Sequence, residues 1–491
     1  MPFRPRWAVR LVRGTRRVFL AADDRLGLSP IVGRVLKHPV PPGTGWLYVF
    51  GSATLFAFIV QVVTGIALAM AYVPSSGQAY ESLRFISRDA PFGHVLRGIH
   101  FFGASAMVLL VGLHTIRVYL MASYKYPREM NWLTGAVLLA LTLLMGFTGQ
   151  LLRWDQNAVW SVIVGAEQAS RVPGVGHLLA RFILAGDAVG GATLSRFFAV
   201  HVFFIPAIIF LFIGGHLYLV IRHGISEPPK AGRKVDPATY RRWYADLLAH
   251  EGHPFWPDAA WRDVVFGVGV IFVIIALAEL VGAPVLGKPP DPTILVAYPR
   301  PDWYLLWYFA VLALIPPSIE SWVIVLAPLL FGIALLAVPF ISNRGERSPR
   351  RRPWAVAIVI TAVMMIGVLW AAGARASWSP DFTAPALSQT GLADPQARAG
   401  AVLFHDRGCE NCHAVSGLGG HRGPDLTTVG DRLTADQMII RIMNGGTNMP
   451  PFAATLRPDE LKAVVAFLET RRSAGGVASG DSIDILPPIA R

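Results

Sequence analysis

The sequence predicts an all-α membrane protein: a bundle of seven transmembrane helices followed by one small soluble α-helical domain. Hydrophobic residues make up 53% of the 491 residues and charged residues only 15%, a composition typical of membrane proteins. Seven apolar stretches are each about 20 residues or longer, the length that crosses a bilayer as a helix. The two cysteines of the chain, Cys409 and Cys412, lie in one short motif after the last of these stretches.

The N-terminal segment, residues 1–45, carries many arginines and has no long apolar core. Thr15-Arg16-Arg17 resembles the start of a twin-arginine export signal. However, Asp23-Asp24-Arg25 follows at the place where such a signal needs its apolar core. The segment is therefore predicted to be basic and amphipathic and to lie on the cytoplasmic surface of the membrane.

The apolar stretches define the membrane spans and their orientation. We place the spans near residues 46–73, 95–121, 132–152, 197–222, 263–283, 320–341 and 353–373. Lysine and arginine are concentrated in the N-terminal segment and in the loops 122–131, 223–262 and 342–352. These loops are every second connection between the predicted spans, so they all lie on the same side of the membrane as the N-terminal segment. Basic loops stay on the cytoplasmic side, so everything after residue 373 is predicted to lie outside, in a multi-pass protein of a bacterial inner membrane. The net charge of +13 is spread between the spans, so we expect membrane lipid, and no nucleic acid, as its partner.

Four histidines lie in pairs on the second and fourth spans: His100 and His114, and His201 and His216. At about 100° per residue, a spacing of 14 falls about 40° short of four helical turns and a spacing of 15 overshoots them by about 60°. Both imidazoles of each helix therefore project from roughly one face, about 21 Å apart along the axis. A lone histidine on an apolar helix is more often structural, but four at matched depths indicate ligands, because ionisable groups are costly in lipid.

The predicted orientation of the helices pairs these histidines by depth. His100 and His201 lie near the outer face, and His114 and His216 lie near the inner face. Residues 46–225 are then expected to form a four-helix di-haem core, in which the two pairs hold two non-covalent b-type haems.

Glycines and arginines near the histidines support the same prediction. Four glycines on the first and third spans share the 14-residue spacing: Gly51, Gly65, Gly135 and Gly149. Close helix packing explains many small residues in membranes, whereas here a missing side chain would let the edge of a macrocycle approach the backbone. Three arginines near the ligand histidines are candidates for binding haem propionates: Arg97, Arg117 and Arg196. A cation that snorkels to the membrane surface is the alternative for each.

The soluble region contains the motif Cys409-Glu410-Asn411-Cys412-His413, which is typical of covalent c-type haem attachment. Its cysteines would bind the haem through thioethers, and His413 would be the proximal iron ligand. Met449, in a Gly-Gly-Thr-Asn-Met-Pro run, is the expected sixth ligand, with Met443 as its competitor. A zinc or redox dithiol site is the alternative, but the chain has no second cysteine pair.

The first four spans resemble cytochrome b of the cytochrome bc/bf quinol-oxidising complexes. The resemblance includes the histidine spacing and the runs Tyr126-Pro127-Arg128-Glu129, Leu152-Arg153-Trp154-Asp155-Gln156, Val172-Pro173-Gly174-Val175-Gly176 and Thr193-Leu194-Ser195-Arg196-Phe197-Phe198. The last three spans, residues 226–375, are similar to the separate fourth subunit of the bf complex. Arg153 departs from the family's proline in its Leu-Pro-Trp-Asp-Gln run. Val49 stands where chloroplast-type proteins attach an additional haem through cysteine, so that haem is not expected.

A quinol motif follows from the same resemblance. Pro301-Asp302-Trp303-Tyr304, between the fifth and sixth spans, resembles the family's Pro-Glu-Trp-Tyr quinol-oxidation motif, with aspartate in place of glutamate. A carboxylate that accepts a proton and Tyr304 beside the quinol suit this chemistry. An aromatic belt at the membrane interface is the alternative explanation of such a run. An inner quinone site is expected near Arg222 and His223.

The soluble domain, residues 391–473, resembles a small class I cytochrome c. Gly400 and Phe404 are expected on a first helix that crosses a last helix carrying Phe467. The Gly423-Pro424 loop resembles the one whose proline carbonyl holds the proximal imidazole. A linker over 376–390 precedes this domain, and a flexible tail over 474–491 follows it.

Together, these resemblances imply a subunit of a quinol–cytochrome c oxidoreductase. Quinol would be oxidised outside, electrons would pass through two b haems and one c haem, and protons would be translocated. The expected partners are a Rieske iron–sulfur protein, a second copy in a homodimer, and a soluble or membrane cytochrome c or terminal oxidase as acceptor. A di-haem anchor of a dehydrogenase, without an outer quinol site, is the first alternative. A non-catalytic tether that presents a cytochrome c is the second.

Overall fold

The computed structural model describes residues 20–290, 299–375, 392–419, 423–445, 449, 451–453 and 456–473. Within them, seven helices are long and apolar enough to cross a membrane, which confirms the predicted all-α membrane fold. A chain in lipid has to satisfy its backbone polar groups internally, so apolar stretches of this length form helices. The predicted linker 376–390, the predicted tail 474–491 and residues 1–19 lie outside the described residues.

The membrane helices are α2 (Phe50–Ala69), α4 (Gly93–Leu120), α5 (Glu129–Leu151), the consecutive α8 (Gly191–Ala199) and α9 (Ile205–His223), α11 (Ala260–Leu280), α13 (Pro317–Ile341) and α14 (Pro353–Arg375). The shorter helices are α1 (Leu28–Leu36), α3 (Ala79–Arg88), α6 (Gln156–Ser170), α7 (Gly176–Leu184), α10 (Tyr240–Glu251), α12 (Leu306–Leu314), α15 (Pro395–Asp406), α16 (Val429–Arg432), α17 (Ala435–Asn444) and α18 (Pro458–Glu469). The described strands form antiparallel pairs: β1 (Pro39–Val40) with β3 (His253–Pro254), β2 (Lys234–Val235) with β4 (Gly345–Glu346), and β5 (Ala414–Val415) with β6 (Leu418–Gly419).

The first four membrane spans pack into one bundle. α2 packs along α4, α9 packs along α5, and α4 contacts α5. A cluster of buried apolar side chains fills the middle of the bundle: Ala53, Ala57, Phe58, Met107, Leu110, Ile205 and Ile209. These residues lie between the two histidine levels on their helices, so the cluster separates the outer histidine pair from the inner pair.

The fourth span departs from a regular α-helix at His201. Val200–Phe204 form a π-helical turn, in which the backbone N–H of Ile205 bonds to the carbonyl of Val200. Pro206 follows directly and has no N–H to donate, so the regular bonding ladder is interrupted at this point. A π-helical turn holds one extra residue, so the 15-residue spacing of His201 and His216 covers the angle of about 14 regular residues. The turn thus removes the angular difference that the sequence predicts between the two histidine helices.

A buried polar network joins the first four spans to the last three on the predicted cytoplasmic side. Glu227 and Arg347 form an ion pair whose side chains are only 8% and 4% exposed. Tyr240 donates a hydrogen bond to Glu227 over 2.7 Å, and Arg128 donates one to Tyr240 over 2.8 Å. In addition, α11 packs against α4 and α2, and α13 packs against α5. The last three spans, which carry the quinol motif, are therefore held against the four-helix bundle.

In the described part of the membrane region, five short helices are absent from the sequence prediction: α3, α6, α7, α10 and α12. Each is shorter than a membrane span, so a search for long apolar stretches does not reveal it. Helix α6 begins at a clear cap, because the Asp155 carboxylate accepts a hydrogen bond from the N–H of Ala158 over 2.9 Å.

The soluble domain has the predicted helix crossing. A Cβ at Gly400 of α15 would collide with the Ala463 carbonyl of α18, so only glycine permits this approach. The rings of Phe404 and Phe467 lie 5.4 Å apart across the same contact. Asp394 begins α15 by accepting a hydrogen bond from the N–H of Ala397 over 3.0 Å.

Candidate haem and quinol sites

The outer histidine pair is held at a separation that suits one metal ion between the two rings. The ring centroids of His100 and His201 are 6.4 Å apart. Imidazole nitrogens bind metals at about 2.0 Å and lie about 1.2 Å from the ring centre, so two rings that share a metal have centroids about 6.4 Å apart. These residues therefore fit a bis-histidine iron.

Threonine hydroxyls orient both outer imidazoles. Thr64 Oγ1 lies 2.9 Å from Nδ1 of His100, and Thr148 Oγ1 lies 3.0 Å from Nδ1 of His201. Each hydroxyl already donates to a carbonyl one turn earlier in its own helix, over 2.6 Å and 2.9 Å respectively. Each hydroxyl therefore accepts a hydrogen bond from Nδ1–H. The lone pair of each ring is then on Nε2, the nitrogen available to a metal.

The two outer glycines make room for these imidazoles. A Cβ at Gly65 would lie 3.2 Å from Cε1 of His100, and one at Gly149 would lie 2.8 Å from Cε1 of His201. Side chains at either position would press on the ring. The close contact therefore involves the ligand imidazole itself.

The inner pair repeats this arrangement. A Cβ at Gly51 would lie 3.0 Å from Cε1 of His114, and one at Gly135 would lie 3.5 Å from Cε1 of His216. Thr134 Oγ1 lies 2.9 Å from Nδ1 of His216. Both levels of the bundle therefore place a histidine of one helix against a glycine of the next.

The three candidate propionate arginines differ in their partners. Arg117 lies 3.6 Å above the ring of Tyr48, and its Nε and Nη2 are buried without a hydrogen-bond partner among the described residues. Arg97 donates to the carbonyl of Pro284 over 2.6 Å, and Arg196 donates to a carbonyl of α7. Buried donors need an acceptor, so Arg117 best fits an anionic group at the inner level.

Replacing Gly149 with valine is expected to displace the His201 imidazole and to weaken or abolish haem binding at the outer level. The reason is steric, since the new Cβ would lie 2.8 Å from Cε1 of His201. The b-type absorbance per mole of protein measures the effect. Gly332→Val is the matched control, because a Cβ at Gly332 meets no atom within 4 Å. Equal b-type absorbance in both variants would contradict the expected role of Gly149.

The quinol motif packs against α5 and, with Gly146 and Gln150 of that helix, forms a half-buried site that we name the quinol pocket. Tyr304 packs on Gly146, where a Cβ would lie 2.5 Å from the tyrosine hydroxyl. The side-chain oxygen of Gln150 accepts a hydrogen bond from the backbone N–H of Asp302 over 3.4 Å. The Tyr304 hydroxyl and Gln150 Nε2 are both buried and have no hydrogen-bond partner among the described residues. Burial raises the pKa of the Asp302 carboxyl. The pocket thus offers two unpaired polar atoms and one carboxyl group to a ligand that carries hydroxyls.

One turn of α5 connects this pocket to the outer histidine pair. Gly146 lies against Tyr304, and Gly149, about 4.5 Å further along the axis, lies against His201. Trp303 ties the motif to α4 as well, because its Nε1 donates to Ser105 Oγ over 3.2 Å. The quinol motif and the outer histidine pair therefore share one wall.

Sequence reasoning missed the roles of Gln150 and of the three threonines. Thr64, Thr134 and Thr148 each directly precede one of the spaced glycines, and this recurring Thr-Gly pair is a signal that could have revealed them. Gln150 is a polar residue at the end of an apolar span, a weaker signal.

The c-type motif of the soluble domain is built around a fixed imidazole. Cys409 begins a single 3-10 turn, and Cys412 directly follows it. Nδ1 of His413 donates to the Pro424 carbonyl over 2.8 Å, which is the contact that the resemblance leads us to expect. Because Nδ1 carries the proton, Nε2 has the lone pair for an iron. Among the described residues, no three His, Cys, Asp or Glu side chains cluster as a metal site.

The two candidate sixth ligands differ in burial. Met449 is partly buried and packs against the core of the domain. Met443, on α17, is 38% exposed. The packing therefore favours Met449. Nδ1 of His405 lies close to the Glu410 carboxylate, and His421 lies outside the described residues.

The soluble domain lies next to the loop that follows α11. The charged groups that act on Lys288 of that loop include Glu410 and Asp406 of the soluble domain, and Lys288 Nζ is buried without a hydrogen-bond partner among the described residues. Burial lowers the pKa of Lys288 to about 8. The backbone carbonyl of Lys288 accepts from the N–H of Gln156 over 2.8 Å. The same loop therefore lies near charged groups of the soluble domain and is bonded to the start of α6.

Comparison with protein-family models assigns three regions of the chain. The model described as Cytochrome b/b6/petB matches residues 35–224, and Cytochrome b(C-terminal)/b6/petD matches residues 289–389. The model described as Cytochrome C oxidase, cbb3-type, subunit III matches residues 395–468.

Curated proteins named as cytochrome b or b6 match part of the chain, and a solved structure matches more of it. The menaquinol:cytochrome c reductase cytochrome b subunit of Geobacillus thermodenitrificans is 39% identical over 215 residues, which cover 42% of this chain and 96% of that protein. Cytochrome b6 of Synechococcus sp. (strain JA-3-3Ab) is 40% identical over 212 residues, which cover 43% of this chain and 99% of that protein. A solved structure of a hyperthermophilic respiratory Complex III aligns with a TM-score of 0.61 and 26% identity, covering 78% of this chain and 94% of the other.

Proposed function

The chain belongs to the cytochrome b family and carries a cytochrome c-type domain, and from this membership we propose that it is the cytochrome b–c fusion subunit of a quinol–cytochrome c oxidoreductase. The observation that carries the proposal is the single turn of α5 that lies against both Tyr304 and His201. A quinol bound beside Asp302 would sit next to the outer histidine pair. The three C-terminal spans and this pocket are features that a di-haem dehydrogenase anchor does not need, so that alternative is not favoured.

The pocket residues suit the oxidation of a quinol, which releases two protons and two electrons. In its charged form, the Asp302 carboxylate accepts a proton from a quinol hydroxyl. The unpaired Tyr304 hydroxyl and Gln150 amide would hydrogen-bond the quinol oxygens, which removes the cost of leaving these atoms buried and unsatisfied. Trp303, anchored on Ser105, and Pro301 hold the motif in place.

The paired histidines and the c-type motif define the proposed cofactor sites. Two b-type haems would be held by His100 with His201 and by His114 with His216, and a c-type haem by Cys409, Cys412, His413 and Met449. When bound, these groups supply one-electron transfer between the two membrane faces and toward the acceptor. The glycines and threonines hold the imidazoles with Nε2 exposed to the iron, and Arg117 would bind a propionate.

The assembly needs a partner that carries an iron–sulfur cluster. Both cysteines of the chain lie in the c-type motif, so no thiolate is left to bind a cluster. A Rieske protein would take one electron from the quinol, and the other would reach the inner side, where Arg222 and His223 are candidates for a quinone-reducing site. We further propose a homodimer that passes electrons to a cytochrome c or terminal oxidase and that translocates protons.

The proposed topology has the N-terminus in the cytoplasm of a bacterium and the cytochrome c domain outside the inner membrane. The position of the domain beside Lys288 supports this, because the Lys288 loop and the quinol motif lie between the same two spans, α11 and α13. Two relatives are named as menaquinol:cytochrome c reductase subunits, so menaquinol is the first quinol to test.

The experiment is quinol-dependent reduction of the purified complex, followed at the b-type and c-type absorbance bands. The proposal predicts that menaquinol or ubiquinol analogues reduce both kinds of haem and that an added soluble cytochrome c is then turned over. A tether that only presents a cytochrome c would show no b-type signal. Reduction of b-type haem alone, in a complex that contains its iron–sulfur partner, would favour the dehydrogenase anchor.

A further inference from the structure

Two residues that depart from the family pattern come together at the outer end of α5. Arg153 stands where the resemblance leads us to expect proline, and Asp302 stands in place of glutamate. These positions are far apart in the chain, but both residues contact Gln150 in the folded protein. The backbone N–H of Arg153 donates to the Gln150 carbonyl over 3.3 Å, and the backbone N–H of Asp302 donates to the Gln150 side-chain oxygen over 3.4 Å, so the guanidinium of Arg153 acts on the carboxyl group of Asp302.

Arg153 is held in a fixed position by Asp155. Its Nε and Nη2 donate to Oδ2 of Asp155 over 3.1 Å and 2.6 Å, and the Asp155 side chain is completely buried. The same oxygen accepts from the N–H of Gly287 over 3.0 Å, while Oδ1 caps α6 through Ala158. With both oxygens occupied, Asp155 anchors the arginine and cannot move toward the pocket.

The charged and titratable groups that face Asp302 shift its pKa in opposite directions. Burial in the pocket raises the pKa of Asp302 most, the Arg153 cation lowers it, and Asp155 raises it again. Tyr304, on the same segment, is also buried, and its pKa is raised. Arg153 is therefore the group in the described pocket that favours the charged carboxylate.

Resting on the proposed function, we propose that Arg153 is a positioning residue that keeps Asp302 charged in its buried pocket and so sets the lower pH limit of quinol oxidation. Only a charged carboxylate can accept the quinol proton. The proton moves from the quinol hydroxyl to Asp302, and no other bond to the protein forms or breaks. Proline at position 153 would supply no such charge.

The test is the pH dependence of quinol oxidation by the Arg153→Gln complex. Glutamine can still donate a hydrogen bond to Asp155 but carries no charge. An opposite charge nearby shifts a carboxyl pKa by about one to three units, so the acid limb of the profile should move upward by about one to three pH units. Activity above the shifted limb should stay close to wild type. Arg153→Lys should restore the limb toward its original position.

Arg84→Gln is the matched control, because Arg84 lies in α3, pairs with Glu81 over 2.6 Å and is 51% exposed. Its acid limb should not move. If the acid limb of the pH profile stays in place in Arg153→Gln as well, the inference is wrong, while the proposed function remains intact. A wild-type complex that oxidises no quinol would instead defeat the proposed function.

A second measurement does not depend on the folding of the variant. The infrared carbonyl band of protonated Asp302, identified by its loss in Asp302→Asn, can be titrated in the wild-type complex. The inference predicts that Asp302 is charged at pH 7 in the wild type and takes up its proton at a higher pH in Arg153→Gln. A wild-type Asp302 that is already protonated at pH 7 would overturn it.

Discussion

Replacing His100 with leucine is expected to remove the outer b-type haem and to stop quinol oxidation. Leucine fills a similar volume but offers no nitrogen, so the iron between His100 and His201 would lose one axial ligand. The ratio of b-type to c-type haem should fall from about two to about one. Absorbance spectra of the reduced protein measure this ratio, and turnover with quinol measures the loss of activity.

His94→Leu is the matched control for this variant. His94 lies in the same helix but is exposed and belongs to neither histidine pair. It should retain both b-type haems and full turnover. If His100→Leu also retained two b-type haems, the assignment of the outer pair would be wrong.

Replacing Asp302 with asparagine is expected to lower quinol oxidation by about 100- to 10,000-fold, the usual contribution of a general base. Asparagine keeps the shape of the side chain and cannot accept the quinol proton. The haem spectra should be unchanged, because Asp302 touches no haem ligand. Steady-state turnover with quinol and cytochrome c measures the loss.

Asp187→Asn serves as the control for Asp302→Asn. Asp187 pairs with Arg181 over 3.0 Å and its side chain is 80% exposed, so its loss should leave turnover close to wild type. Unchanged turnover in Asp302→Asn would remove this carboxyl group from the mechanism.

The membrane fold and the histidine pairs could be predicted because each depends on a single strong pattern. Apolar length predicts the spans, and the matched spacing predicts which histidines share a level. The two histidine spacings, 14 residues on one helix and 15 on the other, predict different angles between the two imidazoles of each helix. The π-helical turn at His201 resolves this difference, and such a turn depends on local backbone bonding at Pro206 that no periodicity reveals.

The pocket could be predicted only in part. Asp302 and Tyr304 follow from a short motif, but Gln150 and Gly146 complete the pocket from another helix, and their role depends on how α5 packs against the motif. The pairing of Arg153 with Asp302 is likewise a contact between distant parts of the chain. In the soluble domain, two methionines compete in sequence, and only their burial separates Met449 from Met443.

The central claim is that paired histidines hold two b-type haems through the membrane while a third haem is attached outside. The most direct test is a haem count on the purified polypeptide by pyridine haemochrome spectra combined with redox titration. The account predicts about two b-type haems and one covalently bound c-type haem per chain, with two separate b-type transitions. A polypeptide that carries its c-type haem but shows no b-type signal would contradict it.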